Sequence, residues 1–422
     1  MNNRIKCLRI LFFTHFYSPE SMAAAFRATA HSKLWSEHGN KVTVFTGYPN
    51  YPIGRIYDGY VPKLLSEEEI DGIRIFRSKL YSVPNTCIVN RLKNVLSFFF
   101  FGVVNLVIHS CEIGKNYDVV LGTSGDVFTA LLAWVYTVMH RKPFVLEIRD
   151  ITYRQMQATG RRRNSLSIRM MRFLELFLCK RAKKVVVVTE GFKKILSEDG
   201  ISADKITVIT NGVDVQPVDT SRMDQNHFVL SYFGTLGISQ NIADTFPYAN
   251  AIYDFFKEFT YLIIGEGAQR KQIEDAVSGD AFPYIELMHG MSANDLETYY
   301  AKSLMSVITL KKSDDFRYTL PSKLFQVMGR GIAVLFIGPD GEAAEIVRKY
   351  HAGLALTGTF EEDMVVLRRF FEQGDWQKQL IQMGKNGALA VSEHYSRKEL
   401  AQEYVQLLEE CVYGTAQKAQ KL

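Results

Sequence analysis

Three short segments in the second half of this chain combine glycine, a small hydroxyl and a lysine in spacings suited to holding an anion. Gly234-Thr235-Leu236-Gly237 follows Tyr232-Phe233, and Gly265-Glu266-Gly267 follows the apolar run Tyr261 to Ile264. Glycine at the carboxyl end of a strand lets a phosphate approach backbone N–H groups, and open α/β sheets bind ligands in the crevice outside those strand ends. The third segment, Leu320-Pro321-Ser322-Lys323-Leu324-Phe325-Gln326, reads as the opening of a helix with Pro321 in its first turn. Free N–H groups at such a start form an anion site, which Ser322 and Lys323 would reinforce; a diphosphate fits it. Each segment also has a plainer reading, as a tight strand-to-helix turn or as ordinary helix capping with a surface lysine.

Other routes to chemistry are missing. There is no Walker A loop, no complete G-x-G-x-x-G, no H-E-x-x-H, no G-x-S-x-G, and no D-x-D pair to hold a metal against a nucleotide diphosphate. The five cysteines (Cys7, Cys87, Cys111, Cys179, Cys411) are odd in number and lack C-x-x-C spacing, which points to neither a disulfide framework nor a thiolate zinc site. A reducing compartment is expected.

The elements that must position these segments are legible as alternating apolar runs and helical stretches. Ile10 to Phe13, Val42 to Thr46, Val119 to Thr123, Phe144 to Ile148 and Val185 to Thr189 read as buried strands, with helices such as Asp126 to His140 and Ser165 to Lys180 between them. Ile10 to Phe13 is too short for a signal-peptide core of about 7 to 15 residues. A second series follows the Asn211-Gly212 turn signal: Phe228 to Phe233, Tyr261 to Gly265, Tyr284 to His289, Ser306 to Leu310 and Ala333 to Ile337. With 422 residues, 47% of them hydrophobic, the chain has room for two or three domains with full cores. An α/β protein of two parallel-sheet domains is expected: 1–210, a polar linker at 211–226, then 227–395, with a final helical segment at 396–422.

Charge divides along the same boundary. Residues 1–210 carry 30 Lys+Arg against 17 Asp+Glu, a net +13, and the remainder carries 20 against 28, a net −8. The basic half suits an anionic surface: a membrane, a diphosphate lipid or nucleic acid, the last ranked lowest because no recognition motif accompanies it. The apolar segment Asn94 to His109 contains Phe98, Phe99, Phe100 and Phe101. Sixteen helical residues reach about 24 Å, short of a hydrocarbon core of about 30 Å, so the segment reads either as an interfacial helix or as a core helix packed on a sheet. With Arg161, Arg162 and Arg163 supplying charge, peripheral attachment to an anionic membrane is expected.

Taken together, the chain resembles the GT-B glycosyltransferases, specifically retaining family 4 and its subgroup of bacterial capsule, O-antigen, lipopolysaccharide and colanic-acid enzymes that includes fucosamine-transferase-like members. The residues that carry the resemblance are "FFTHFYSPES" (Phe12 to Ser21), Ala25-Phe26-Arg27, "GNKVTVFTGYPNYPIGR" (Gly39 to Arg55), "YFGTLGISQ" (Tyr232 to Gln240), "LIIGEG" (Leu262 to Gly267), "LPSKLFQVMGRGIAVL" (Leu320 to Leu335) and "GEAAEIV" (Gly341 to Val347).

The resemblance implies two Rossmann-like domains facing a cleft, the acceptor on the first and a nucleotide-sugar, UDP-linked by family habit, on the second, with no metal or other cofactor. It implies that Gly234, Thr235 and Gly237 face the donor phosphates, Pro321, Ser322 and Lys323 the diphosphate, and Gly265, Glu266 and Gly267 the nucleoside end. Asp150, in "EIRD", falls where relatives place a polar residue near the transferring sugar, and it joins Lys323 as a catalytic candidate. The last helix would cross back onto the first domain. The implied reaction is sugar transfer, with retained anomeric configuration, to a polyprenyl-diphosphate-linked saccharide at the cytoplasmic face of a bacterial plasma membrane. Two departures stand out: Gln326 replaces the glutamate that binds the donor ribose, and Tyr318 stands eight residues earlier where many relatives have another glutamate. A neutral amide lacks the charge-assisted bonding of a carboxylate. Alternatives are a nucleotide-sugar 2-epimerase on the same architecture and a catalytically weakened partner subunit.

Overall fold

A computed structural model describes residues 7–51, 53–84, 88–158, 165–214, 227–256 and 258–414. The chain divides into two compact units, Met1–Thr210 with Leu400–Leu422, and Asn211–Glu399.

The first unit is built on an eight-stranded sheet of β1 (Arg9–Phe13), β2 (Lys41–Gly47), β3 (Leu65–Ile70), β4 (Ile73–Ser78), β5 (Val119–Thr123), β6 (Phe144–Ile148), β7 (Lys184–Val187) and β8 (Ile206–Val208), in the spatial order β3-β4-β2-β1-β5-β6-β7-β8. All pairings are parallel except β3 with β4. Strand alternation divides its apolar residues between two faces. Leu11 and Phe13 join a core covered by the helices Ile88–Ile108, Val127–His140 and Leu166–Arg181, and Ile10 and Phe12 join one covered by Ala23–Glu37 and the end of Arg397–Tyr413. In the last helix Leu400, Ala401, Tyr404, Val405, Leu407, Leu408 and Cys411 are buried and belong to this unit.

The second unit has six parallel strands, β9 (Phe228–Phe233), β10 (Phe259–Ile264), β11 (Ile285–Met288), β12 (Met305–Thr309), β13 (Ala333–Ile337) and β14 (Gly353–Leu356), in the order β11-β10-β9-β12-β13-β14. Leu230 and Tyr232 face one core, and Phe233 the other. In both sheets the strand order reverses beside the first strand, so β1 lies between β2 and β5, and β9 between β10 and β12. Loops leaving these neighbours on opposite sides open a crevice at the strand carboxyl ends.

The apolar segment expected at Asn94 to His109 is longer, Ile88–Ile108, and at about 1.5 Å per residue it is long enough to cross a bilayer. Packing fixes it to the sheet instead. Phe98 is fully buried between Phe45 and His15, which corrects the expectation that its ring meets a membrane. Asn94 and Asn105 are buried on the same side; Asn105 Nδ2 donates to Leu64 O (2.8 Å) and Ser78 Oγ (2.9 Å). Phe100 points outward, and Phe99 and Phe101 are half-buried. Arg161, Arg162 and Arg163, and most of the expected linker, lie outside the described residues.

Candidate functional site

In the second unit the three glycine- and lysine-bearing segments converge at the crevice beside β9. Gly234 follows β9 with φ +144°, and its N–H donates to Ile264 O at the end of β10 (2.8 Å). Leu236 N donates to Glu266 O (2.8 Å) and Gln269 N to Leu236 O (2.9 Å), which stitches the loop after β9 to the loop after β10. A Cβ on Gly265 would stand 1.8 Å from Gly234 O, so glycine there is a condition of the two loops touching. A Cβ on Gly234 would stand 1.9 Å from both Cε and Nζ of Lys323. Sequence alone suggested a phosphate as the reason for glycine here; the φ of +144° is already sufficient reason, and the end of the neighbouring lysine adds a second contact to avoid.

Lys323 comes from the helix Ser322–Gly329, whose N-cap position is held by Pro321 with no side-chain capping bond. Pro321 therefore precedes the first turn that sequence assigned to it. Nζ of Lys323 donates to the Tyr232 hydroxyl (3.0 Å) and stands 4.7 Å from the centre of that ring, and the Tyr232 hydroxyl donates to Thr235 O (2.7 Å). Burial alone lowers the Lys323 pKa to about 8, because no carboxylate compensates its lost hydration. The cation, Tyr232, Thr235, Ser322 and Thr309 line a recess of about 210 Å³. That is below the roughly 300 to 1,000 Å³ of a small-molecule pocket, a size suited to the charged part of a ligand.

The remaining candidates sit around this recess unequally. Gln326 is half-buried one turn past Ser322, and its backbone oxygen accepts from Arg330 Nη1 (2.9 Å). Glu266 accepts from His289 Nδ1 (2.8 Å) and Gly290 N (3.2 Å), and the His289 bond is the main reason its carboxyl stays below the usual range. Gly237 lies beside Gln240, whose Oε1 would be 2.5 Å from an added Cβ. Tyr318 is half-buried before the helix.

Asp150 belongs to the first unit, exposed just past the end of β6. Crowding by protein raises its carboxyl pKa, against the opposing pull of Arg149 and Arg27. Behind it lies a charge cluster that sequence reasoning missed. Arg27 Nη1 donates to Glu147 Oε1 (2.5 Å), and Arg149 Nη1 stands 3.7 Å from the same oxygen. Burial works to raise the Glu147 pKa, but Arg27 and then Arg149 outweigh it and bring it to about 2. Arg149 is lowered to about 9, first by burial and then by Arg27. A second cluster occupies the β1/β5 crevice: His15 Nδ1 bonds Asp126 Oδ2 (2.8 Å) and His15 Nε2 bonds Asn94 Oδ1 (2.9 Å). Asn94 Nδ2 donates to Asn50 Oδ1 (3.1 Å) and Tyr81 O (3.2 Å), which fixes which atom of its amide faces the histidine. These partners are 111 and 79 residues from His15 in sequence, and no local pattern joins them. Among the described residues no group of three or more His, Cys, Asp or Glu is placed to hold a metal ion.

Comparison with known proteins locates this arrangement. Residues 24–217 match the Glycosyltransferase Family 4 model. No curated protein matches the chain in sequence. Among solved structures, sucrose-phosphate synthase from Thermosynechococcus elongatus aligns with a TM-score of 0.71 at 14% identity, covering 96% of this chain and 98% of that one. HepE of Anabaena in complex with UDP gives 0.65 at 14% identity, covering 96% and 100%. The catalytic domain of starch synthase IV from Arabidopsis thaliana, bound to ADP and acarbose, gives 0.68 at 12% identity, covering 96% and 99%. At such identities the likeness is one of fold, the GT-B fold. The domain match and the fold together support a glycosyltransferase.

Proposed function

We propose that this protein transfers a sugar, with retention of anomeric configuration, from a UDP-sugar to a saccharide carried on a polyprenyl diphosphate, as a step in building a bacterial surface polysaccharide at the cytoplasmic face of the plasma membrane. The observation that carries the donor half of this reading is the Lys323 ammonium, held on Tyr232 at an uncapped helix start beside the Gly234 loop. Departure of a nucleoside diphosphate develops charge on phosphate oxygens, and a cation with oriented N–H groups is what stabilises it. Among structures sharing the fold, HepE is found in complex with UDP and with UDP-glucose, and TarM with UDP, which agrees with a nucleotide diphosphate donor.

In the proposed reaction the bond from the sugar C1 to the terminal phosphate oxygen breaks and a bond from C1 to an acceptor hydroxyl oxygen forms on the same face. The hydroxyl proton passes to the departing diphosphate. Lys323 and Ser322 hold that diphosphate, Gln326 meets the ribose, and Asp150 accepts a hydroxyl of the transferring sugar. Incubation of the purified protein with radiolabelled UDP-sugars and a lipid-linked acceptor tests the reading. Labelled lipid supports it; an epimerised nucleotide would mean a 2-epimerase; neither product, with UDP still bound, would leave a weakened partner subunit.

A further inference from the structure

The helices Ile88–Ile108, Val127–His140 and Leu166–Arg181 lie side by side on one face of the first sheet, joined by the ring contacts Phe99–Phe128 (5.9 Å) and Trp134–Phe177 (5.0 Å). Their inner sides are core, but their outer sides are also apolar. Leu92, Leu96, Phe100 (61% exposed) and Val107 form one stripe along the first helix, and Leu166, Met170 and Phe173 (67% exposed) form another along the third, with Val138 on the helix between. Apolar surface on this scale marks a binding face, whereas scattered single residues would not.

Charge on the same helices has one sign. The first two contain no Asp or Glu, and the third contains only Glu175, which is 2% exposed and accepts the N–H groups of Thr152 (3.0 Å) and Tyr153 (3.2 Å). Lys93, Arg169, Lys180 and Arg181 are exposed on them. A cationic frame around an apolar stripe repels a second copy of itself, since a two-fold interface sets like against like, and it complements an anionic lipid surface.

We propose that this three-helix face seats the first unit in the headgroup layer of an anionic bilayer, with Leu96, Phe100 and Phe173 entering the acyl boundary and the lysines and arginines meeting lipid phosphates. The inference rests on the reading of the acceptor as lipid-linked. The helix Ile88–Ile108 lies on the membrane and does not cross it, because Phe98 and Asn105 on its other side are fully buried and Asn105 is bonded to the sheet unit.

The test is flotation of the full-length protein with vesicles of phosphatidylcholine, alone or mixed with phosphatidylglycerol, with melting temperature and UDP affinity measured on each sample. Wild type is expected to float with the mixed vesicles at low salt and to be partly released at high salt. Phe100→Ser with Phe173→Ser should cut partitioning by about tenfold or more with UDP affinity unchanged, and Lys93→Gln with Arg169→Gln should remove most of the preference for anionic lipid. Wild type that stays with the unbound fraction, a double-Ser variant that floats as well as wild type, or a face whose variants only convert a dimer to a monomer would overturn the proposal. UDP binding without flotation sinks the membrane seat and spares the donor reading; flotation without UDP binding does the reverse.

Discussion

The ammonium of Lys323 rests on the ring of Tyr232, 4.7 Å from its centre, and donates to its hydroxyl at 3.0 Å, so the cation lining this recess is aimed by a neutral phenol. A carboxylate partner would neutralise it; a phenol orients it and leaves its charge available to a phosphate. Tyr232→Phe removes the accepting oxygen but keeps the ring face. UDP affinity should fall a few-fold and kcat by about tenfold, with stability lower by about 1 kcal/mol for the lost bond to Thr235 O. Unchanged kcat would mean that the hydroxyl only anchors the loop.

Gly234→Ala tests the same relationship from the other side. Its methyl would occupy the space of Lys323 Cε and Nζ, 1.9 Å away, so the end of the lysine would have to shift, and the φ of +144° adds backbone strain that a melting temperature reads separately. The loss in turnover should approach that of Lys323→Ala, over a hundredfold for a transition-state contact of about 3 kcal/mol. Wild-type kinetics in a folded Gly234→Ala protein would show that the lysine position does not matter.

Acid sensitivity should trace partly to Glu147. Its pKa is held at about 2 by Arg27 and Arg149 against an ordinary 4.5. A lowered carboxyl contributes stability that is fully present above pH of about 4.5 and lost as pH falls towards 2, here about 3 kcal/mol. Glu147→Gln should melt lower than wild type at neutral pH, because two guanidinium groups lose their counter-charge, and should lose less on acidification to pH of about 3. Parallel pH profiles of melting temperature would assign the acid limb to other groups.

Gln326→Glu should tighten UDP binding by about tenfold, or about 1.4 kcal/mol, if the side chain meets the ribose, because a carboxylate accepts both hydroxyls with charge-assisted bonds. Calorimetry on the folded variant reads this directly. Weaker binding would place Gln326 away from the ribose.

Most strands were legible because parallel strands buried on both faces read as unbroken apolar runs: Val119–Thr123, Phe144–Ile148, Phe228–Phe233 and Ala333–Ile337 stand where the runs do. The hairpin β3–β4 was not recognised, since "LSEEEI" sets four polar residues in a row at a sheet edge; its signal was the Asp71-Gly72 turn, with φ of 52° and 73°. Phe98 and Phe100 show the limit of composition. Two residues apart on a helix, they face nearly opposite ways, and only the tertiary partner decided which was buried. Lys323 was legible from its place at a helix start, whereas Tyr232 as its partner, 91 residues away, and the His15 and Glu147 clusters needed the fold to bring distant side chains together.

If Lys323 holds a nucleoside diphosphate, its ammonium, whose pKa burial lowers to about 8, sets how binding depends on pH. A lowered lysine is charged below that value and loses its proton as pH rises through it, so the affinity it contributes is present at neutral pH and fades above pH of about 8. Calorimetric titration of UDP into wild type and Lys323→Ala across pH of about 7 to 9.5 measures it. Wild-type affinity should fall by about tenfold or more over that range, with proton uptake on binding near pH of about 8, and Lys323→Ala should bind weakly with a flat profile. The same UDP affinity and pH profile in both proteins would contradict the account.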